Sequence, residues 1–400
     1  MKRRIRLPLL RDRHNHASLY AALRCAPSLA GLDVAGARAT LTSLPLDRLS
    51  LVLGWRSDKI PVAVFEDGDL PPLLVVNWSL HGFAATPHAL PFLKREWPEL
   101  AERARDAAFC ERVLPQLLSF YGRLGCLDAE KLAAFMDGLE RAGFREAEDL
   151  SLTGVEALAV ILDSPYRDRI DIFAALDVYR GFSREQRASC AGVKLFLDGA
   201  LGARSAALDA PFCDAPAGQL LYADEELDAA LAEIASYGAR PAVHAIGHRA
   251  VGQILGSLER LLGNGVSFRA PRIEHAQFIS ECQARRARDL GAVLSMQPNF
   301  SPESHDYADR LIERHCRENN PFRVLVDDVG FRPGEDLVFG TDGMPSDVAF
   351  AMRSCLFPPR ASQHLSIKEF EDGYGAASGD GNALYEIDDE ARTVSRIDET

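Results

Sequence analysis

The residues of this chain best suited to chemistry are histidines, a lysine and an aspartate, each placed near the end of an apolar run. The set is His14, His16, Lys194, His244, His275 and Asp342. Imidazole and carboxylate groups are ligands of zinc and similar divalent ions, and a hydrolytic site leaves one coordination position open for water. Together these residues predict a metal site with hydrolytic chemistry.

No single member of this set is decisive. A lone histidine at a strand end is more often a packed, hydrogen-bonded residue than a ligand, so the inference depends on all of them occurring together. The triplet His14-Asn15-His16 also occurs in a type of nuclease motif. The formal net charge of −13 argues against that alternative, because nucleic-acid surfaces are usually basic.

Strand geometry explains how residues so far apart in sequence could meet. Side chains at positions i and i+2 of a strand point to the same face, so His14 and His16 can both face the interior of a barrel. In (β/α)8 barrels the functional residues lie at the carboxyl ends of the strands, where the loops form the open face. Ligands from distant strands can then converge on one ion.

The chain alternates apolar runs and helical patterns from residue 141 onward. Candidate strands lie near 143–149, 168–177, 192–198, 239–245, 270–276, 291–297 and 336–342. Such alternation predicts a parallel sheet. Seven strands, with the one that ends at His14, make eight, so we predict an α/β fold that is a (β/α)8 TIM barrel.

Residues 17–140 do not fit a single step of a barrel. They contain two strand-like runs, Leu49–Trp55 and Leu73–Trp78, followed by a helical stretch. We expect a long α+β insertion after the first barrel strand. The predicted organisation is therefore a barrel formed by 1–16 and 141–360, the insertion 17–140, and a polar, loosely held C-terminal extension, 361–400.

Composition places the chain among ordinary globular proteins. Of its 400 residues, 47% are hydrophobic and 26% charged, and no run has the roughly 18 apolar residues of a membrane span. The eight scattered cysteines form no Cys-x-x-Cys pair and are interpreted as reduced thiols. We expect a cytoplasmic protein with a small-molecule substrate, no nucleic-acid or membrane partner, and a homodimeric assembly.

Several motifs resemble those of one large family. They are Gly192–Leu208, Val243–Val251, Arg272–Gln277, Ser295–Pro298 and Phe339–Asp342, with Gly54-Trp55 and His81–Ala85 in the insertion. In this order they resemble the amidohydrolase superfamily of metal-dependent hydrolases, and most of all amidohydrolase family 3, the branch that includes N-substituted formamide deformylases. The resemblance covers roughly residues 12 to 345.

The resemblance implies a ligand set for one or two divalent ions, with zinc expected and iron or manganese as alternatives. His14, His16 and Asp342 would bind the first ion, His244 and His275 the second, and a carboxylated Lys194 would bridge them. Asp342 would also act as the catalytic general base and acid, taking a proton from the attacking hydroxide and passing it to the leaving nitrogen.

Two further residues receive roles from the resemblance. His81, in the insertion, would polarise the substrate, although a packing role is an alternative. Arg204 would bind a substrate carboxylate through its bidentate fork, or brace its loop. By strand alternation Glu274, which flanks His275, is expected to point away from the metal and towards the helices.

The chain departs from the family pattern at three places. Ser79-Leu80 precede His81, where an Asp-Gly pair is common in relatives. His248 stands where relatives usually have an aspartate. Relatives also carry a small β-sandwich, built from segments on both sides of the barrel. Here only 13 residues precede His14 and no return strands are expected in the tail, so the chain is predicted to lack that domain.

The function predicted from these observations is hydrolysis of a carbon–nitrogen bond other than a peptide bond, by metal-activated hydroxide. Formamides, N-acyl amines and N-acyl amino acids are candidate substrates. A deaminase or a lactonase is an alternative, because one barrel can serve several reactions. A catalytically inactive scaffold is the alternative from another class, but a scaffold has no need of the full ligand set.

Overall fold

Strands and helices alternate along most of the chain in the computed structural model, which describes residues 2–57, 59–77, 80–104 and 106–397. The strands are β1 (Lys2–Pro8), β2 (Leu10–Asn15), β3 (Ser50–Trp55), β4 (Leu73–Asn77), β5 (Phe83–Ala85), β6 (Phe144–Leu152), β7 (Ile170–Ala175), β8 (Gly192–Phe196), β9 (Arg240–Ala245), β10 (Arg272–His275), β11 (Val293–Met296), β12 (Leu337–Phe339), β13 (Asn382–Asp388) and β14 (Thr393–Ile397).

The helices are α1 (Ala17–Leu23), α2 (Val34–Thr42), α3 (Leu90–Glu96), α4 (Pro98–Arg103), α5 (Ala107–Arg112), α6 (Leu114–Gly125), α7 (Ala129–Arg141), α8 (Val155–Leu162), α9 (Leu176–Arg180), α10 (Arg184–Ala188), α11 (Asp224–Ser236), α12 (His248–Gly263), α13 (Glu281–Asp289), α14 (Glu303–Asp306), α15 (Glu313–Glu318), α16 (Val348–Leu356) and α17 (Ile367–Tyr374). The chain divides into two units, Met1–Ala21 with Asp128–Thr400, and Ala22–Leu127.

Eight parallel strands form the central sheet of the first unit. Their order is β2-β6-β7-β8-β9-β10-β11-β12, so each strand lies beside the next one in sequence. Each of the seven strands expected after residue 141 overlaps an observed strand. The prediction of an α/β barrel with eight strands is confirmed.

The strands of this barrel are buried on both faces. All five residues of β8 and all four of β10 are buried, although both strands contain charged side chains. Helices cover the outer face of such a sheet and side chains fill its interior, which is why parallel strands are buried throughout their length. Any charged residue in these strands therefore needs a partner inside the barrel.

The two edge strands, β2 and β12, meet through hydrogen bonds that involve the residues just after β12. The Asp342 amide donates to the His14 carbonyl at 2.7 Å, and the Thr341 amide donates to the Asp12 carboxylate at 2.8 Å. Gly340 allows this approach, since a Cβ at that position would lie 2.2 Å from the His14 nitrogen. Two candidate metal ligands thus lie on segments joined directly to each other.

The helices around the barrel begin at residues that can cap them. Ser280 and Gln283 form a capping box at the start of α13, and the Asp347 carboxylate accepts from the Phe350 amide at the start of α16. Such caps satisfy amides that have no partner within the helix. Among the described helices, none combines the length and the apolar character that crossing a bilayer requires.

The chain ends form a separate antiparallel sheet, which corrects two expectations. The segment that precedes His14 forms two strands and not a single barrel strand. Strand β1 ends at Pro8 and pairs with β13, while β2 belongs to the barrel. The tail, 361–400, does contain return strands, since β13 and β14 form a three-stranded sheet with β1. Ala383, Tyr385 and Ile387 form the buried face of β13, a period-two pattern that is also visible in the sequence.

The second unit, Ala22–Leu127, has its own sheet and its own core. Strand β4 pairs in parallel with β3 and antiparallel with β5. Its core contains Leu41, Val52 and Phe65. The predicted insertion, 17–140, contains this unit, and the run Leu49–Trp55 pairs outside the barrel sheet. Trp78, the end of the second predicted run, lies outside the described residues.

We predict that Gly340→Ala destabilises the protein strongly. The added methyl group would meet backbone atoms of His14 at 2.2 Å, and backbone cannot rearrange as cheaply as a flexible side chain. Overpacking of this kind costs about 1–3 kcal/mol. The measurement is the urea midpoint of unfolding. Gly263→Ala, in helix α12 with no heavy atom within 4 Å of the new methyl group, is the matched control and should be neutral or stabilising. Equal midpoints for the two variants would contradict the prediction.

Candidate metal centre

The six predicted ligands lie in or just after strands of the barrel. His14 is in β2, Lys194 in β8, His244 in β9 and His275 at the end of β10, while His16 and Asp342 follow β2 and β12. Because the carboxyl ends of parallel strands lie at the same end of a barrel, these positions share one region. Distances between the side chains bear this out.

The imidazole rings form a continuous series. The ring centroid of His14 lies 5.6 Å from that of His16 and 4.7 Å from that of His275, and the rings of His275 and His244 are 4.4 Å apart. One ligand atom each of His14, His275 and Asp342 lie within 4.8 Å of one another. The structure therefore brings the four histidines and the aspartate together.

His14 is oriented by a carboxylate on one side of its ring. Its Nδ1 lies 2.7 Å from Oε2 of Glu274, and both side chains are fully buried. Its Nε2 has no hydrogen-bond partner among the described residues and lies 3.6 Å from Oδ1 of Asp342. A proton on Nδ1, shared with Glu274, leaves the Nε2 lone pair free for a metal.

His244 and His275 are held in a comparable way. Nδ1 of His275 lies 2.7 Å from the side-chain oxygen of Gln297, and Nε2 of His244 lies 3.2 Å from the Gly199 carbonyl. If each of these nitrogens donates a proton, the other nitrogen of each ring carries a lone pair. That nitrogen of each ring is then available to a metal ion.

His16 and Asp342 form the most direct contact within the set, with 3.1 Å between Nε2 and Oδ1. Burial alone would raise the pKa of Asp342, but His14, His16 and Lys194 outweigh burial and lower this pKa to about 2. Asp342 has a positive φ of 57°, which turns its side chain out of the direction of β12. It is therefore an ionised carboxylate within reach of two imidazoles.

Lys194 is almost completely buried, and its Nζ has no hydrogen-bond partner in the described part of the chain. Its nearest aromatic contact is the Phe196 ring, 4.9 Å from Nζ. Burial lowers the pKa of Lys194 to about 8, although Glu274 and Asp342 act in the opposite direction. A substantial fraction of this amine is therefore neutral near pH 8, which is the form that reacts with carbon dioxide.

The donor set fits a divalent cation. The Nε2 of His14, Nδ1 of His16 and Nζ of Lys194 are buried polar atoms without partners in the described residues. Burial lowers the pKa of His14 and of His275 well below the usual value, so both rings are neutral and available as ligands. Unsatisfied buried donors and acceptors are costly, and an ion bound among them would remove that cost.

A buried arginine lies behind this centre. The Arg272 guanidinium contacts Glu148, lies 2.8 Å from Glu274, and donates to the Arg13 carbonyl and the Ser295 hydroxyl, each at 2.8 Å. Burial alone would lower the pKa of Arg272, but Glu148 and Glu274 outweigh it and raise this pKa. The arginine compensates the charge of the carboxylate that orients His14.

The expectation that Glu274 points away from the metal residues is wrong, since its carboxylate bonds to His14. Strand alternation fails here because His275 has a φ of 69° and Ala276 a φ of 46°. This turn at the end of β10 brings His275 and Glu274 to the same side. The sequence does not indicate this turn, because neither His275 nor Ala276 is a glycine, the residue that usually adopts a positive φ.

The contacts described for the other two predicted site residues are with carboxylates. His81 belongs to the second unit, where its Nδ1 lies 3.0 Å from Glu111. Arg204 directs its Nε and Nη2 to one oxygen of Asp214, at 2.8 and 2.5 Å, and both side chains are partly exposed. The catalytic role of His81 and the substrate-binding role of Arg204 stay predictions.

An eight-stranded parallel barrel with histidines, a lysine and an aspartate at its strand ends is the architecture of metal-dependent hydrolases of the amidohydrolase type. The amidohydrolase family model matches residues 142–353, just over half of this chain. The chain therefore belongs to the amidohydrolase family, as predicted.

Two curated proteins match a shorter segment. YtcJ of Bacillus subtilis (strain 168) is 36% identical over 138 residues, which are 34% of this chain and 26% of YtcJ. Protein LONG AFTER FAR-RED 3 of Arabidopsis thaliana is 34% identical over 140 residues, which are 34% of this chain and 24% of that protein. The matched segment thus spans about a quarter of each relative's length.

Solved structures share the fold. An uncharacterised metal-dependent hydrolase from Pyrococcus horikoshii OT3 superposes with a TM-score of 0.68 at 23% identity, covering 93% of this chain and 80% of that one. A second, from Pyrococcus furiosus, gives a TM-score of 0.68 at 20% identity, with 93% and 81% covered. At these identities the comparison establishes the architecture alone.

We predict that Glu274→Gln weakens metal binding about 10–100-fold, the usual cost of losing a partner that orients a metal ligand. The amide can still accept a hydrogen bond from His14, but it no longer carries the charge that Arg272 and the imidazole face. Zinc affinity of the full chain, measured by competition with a chromophoric chelator, is the readout. Glu281→Gln, an exposed residue of α13, is the control and should not change the affinity. Unchanged affinity in Glu274→Gln would show that Glu274 does not tune His14.

Proposed function

We propose that this protein is a metal-dependent hydrolase that cleaves a carbon–nitrogen bond of an amide, formamide or N-acyl small molecule, other than a peptide. The observation that carries the proposal is the convergence of four imidazoles, a buried lysine and an ionised aspartate at the strand ends of one barrel. In His14 and His275, Nδ1 is held by a neighbouring side chain, which leaves Nε2 free.

The proposed ligand assignment is the one that the family resemblance implies, and contacts within the cluster support it. His14, His16 and Asp342 are mutually adjacent, with His14 and His16 both within 3.6 Å of the same carboxylate oxygen, and they would hold one ion. His244 and His275 form the closest pair of rings and would hold a second. Zinc suits these ligands best, with iron and manganese as alternatives.

Lys194 is proposed to be carboxylated and to bridge the two ions. A protonated lysine would repel any cation bound by the histidines, whereas a carbamate would provide two oxygen ligands and a negative charge. Burial favours the modification, because it disfavours the ammonium form. Carboxylation would also give a metal-binding group to the Nζ of Lys194, a buried atom with no hydrogen-bond partner among the described residues.

The chemistry of the reaction divides between the ion and the chain. A bound divalent ion would lower the pKa of water to about 7 and polarise the carbonyl of the substrate. Asp342 is ionised, so its carboxylate can accept the proton of the attacking water and deliver it to the leaving nitrogen. Without that proton the nitrogen is a poor leaving group.

Two further residues are proposed to bind and polarise the substrate. Arg204 is proposed to pair with a substrate carboxylate in place of its present partner, Asp214, which is partly exposed and can be solvated when released. His81, whose Nδ1 lies 3.0 Å from Oε2 of Glu111, is proposed to polarise the substrate. The substrate itself is proposed to be a small molecule.

We predict that Asp342→Asn lowers turnover by about 10²–10⁴, the usual cost of losing a general base. An amide oxygen can still coordinate, but it cannot accept a proton. The assay is hydrolysis of a panel of N-formyl and N-acyl compounds by the metal-loaded full chain, with metal content measured in parallel. Asp347→Asn, which alters only a cap of α16, is the control. Near-normal turnover in metal-replete Asp342→Asn would exclude the proposed base.

We predict that Lys194→Ala loses most bound metal and activity, and that acetate or propionate restores part of both. The truncated side chain leaves a buried space in which a small carboxylate can take the place of the carbamate. Lys194→Met fills that space, so it should lose metal equally but show no rescue. A carbon-13 NMR signal of a carbamate, after incubation of the native protein with labelled carbon dioxide, provides a readout besides activity. A full metal complement in Lys194→Ala would make the lysine structural.

A further inference from the structure

A second cluster of metal-ligand residue types lies outside the set described above. Asp209, His248 and His315 each place one ligand atom within 4.8 Å of the others. Asp209 is in the loop that follows β8, His248 is the first residue of α12, and His315 is on α15. The cluster thus joins three segments that are distant in sequence.

The spacing of these atoms suits an ion. Oδ1 of Asp209 lies 2.9 Å from Nε2 of His315 and 3.6 Å from Nδ1 of His248. The second distance is too long for a hydrogen bond, and the buried Nδ1 of His248 has no hydrogen-bond partner among the described residues. Ligand atoms around a tetrahedral zinc, with bonds of about 2.0–2.1 Å, are about 3.3 Å apart.

The far side of the His248 ring is held by a carboxylate. Its Nε2 lies 3.1 Å from Oε2 of Glu318, an arrangement that places the proton on Nε2 and the lone pair on Nδ1. Burial lowers the pKa of His248, although Asp209 and Glu318 oppose that effect, so the ring is neutral at neutral pH. The side chain of His315 is fully buried.

Arg314 is the competitor for this position. Its guanidinium donates to both oxygens of Asp209, at 2.9 and 2.7 Å, and also reaches Glu318. The arginine side chain is 40% exposed and flexible, so it can turn into solvent. A metal ion that takes the place of the Arg314 guanidinium would have its charge balanced by the same Asp209 carboxylate.

We propose that Asp209, His248 and His315 form an additional divalent-metal site, with water completing the coordination. Two imidazoles and one carboxylate favour zinc, nickel or cobalt over magnesium or calcium. The half-exposed Asp209 provides a route of entry, and Arg314 leaves it when the ion binds. The bound ion would tie the loop after β8 and helix α15 to the start of α12, the helix that follows His244 in the chain.

The test is a zinc titration of the untagged, metal-stripped full chain in which the four histidines of the candidate metal centre are replaced by asparagine: His14→Asn, His16→Asn, His244→Asn and His275→Asn. One zinc equivalent should still bind. Adding His248→Gln should weaken it by about 10–100-fold or more, because losing a direct ligand costs at least as much as losing an outer partner. Adding Arg314→Gln should tighten binding, since the competing cation is removed. Arg317→Gln, an exposed arginine of the same helix, is the charge-matched control and should change nothing.

If the chain without these four histidines does not fold, the same question is answered in the native background. There the protein should bind one zinc equivalent more than His248→Gln does. Cobalt(II) should likewise give a visible absorption component that His248→Gln lacks. Equal metal counts in the two chains, or zinc affinity that is the same with and without Arg314, would overturn the proposal.

Discussion

The charge of Arg272 is the constraint around which the candidate centre is built. A buried guanidinium is tolerated only when it is paired, and this one meets Glu148, Glu274 and a backbone carbonyl. Glu274 in turn fixes the ring of His14. Removing one partner of such a network typically costs about 3–5 kcal/mol, because the remaining charge stays buried. Ligand geometry and barrel stability therefore depend on the same few contacts.

A second buried carboxylate has a comparable role at the seam of the barrel. Asp12 accepts hydrogen bonds from Thr341 and from the amide of Asn15, and burial raises its pKa to about 6 despite those bonds. Its contacts hold the segment after β12 against β2. Since His14 and Asp342 belong to these two segments, their separation is set by backbone hydrogen bonds rather than by side-chain packing alone.

The sequence was most informative where the signal is local. Strand-helix alternation predicted the barrel, and the placement of His244 and His275 at strand ends predicted their proximity. Prediction from the sequence failed where a contact depends on a turn in the backbone, as at Glu274, or on a partner far along the chain. The strand β13 has a period-two pattern that could have been noticed, but its partner β1 cannot be identified from spacing. The ion pair of Arg204 with Asp214 likewise becomes visible only in three dimensions.

The sheet that joins β1 to β13 has a consequence for biosynthesis. Strand β1 is synthesised before the barrel strands, and its partner β13 is synthesised after all of them. Arg3 and Asp389, which are hydrogen-bonded, are 386 positions apart in the chain. Until β13 emerges, β1 has an unpaired edge, and such edges can pair with other chains. Contacts between distant residues also form slowly. A nascent chain of this protein therefore has a long interval in which β1 is unpaired, and Lys2, Arg3, Arg4 and Pro8 of that strand are residue types that discourage pairing with other chains.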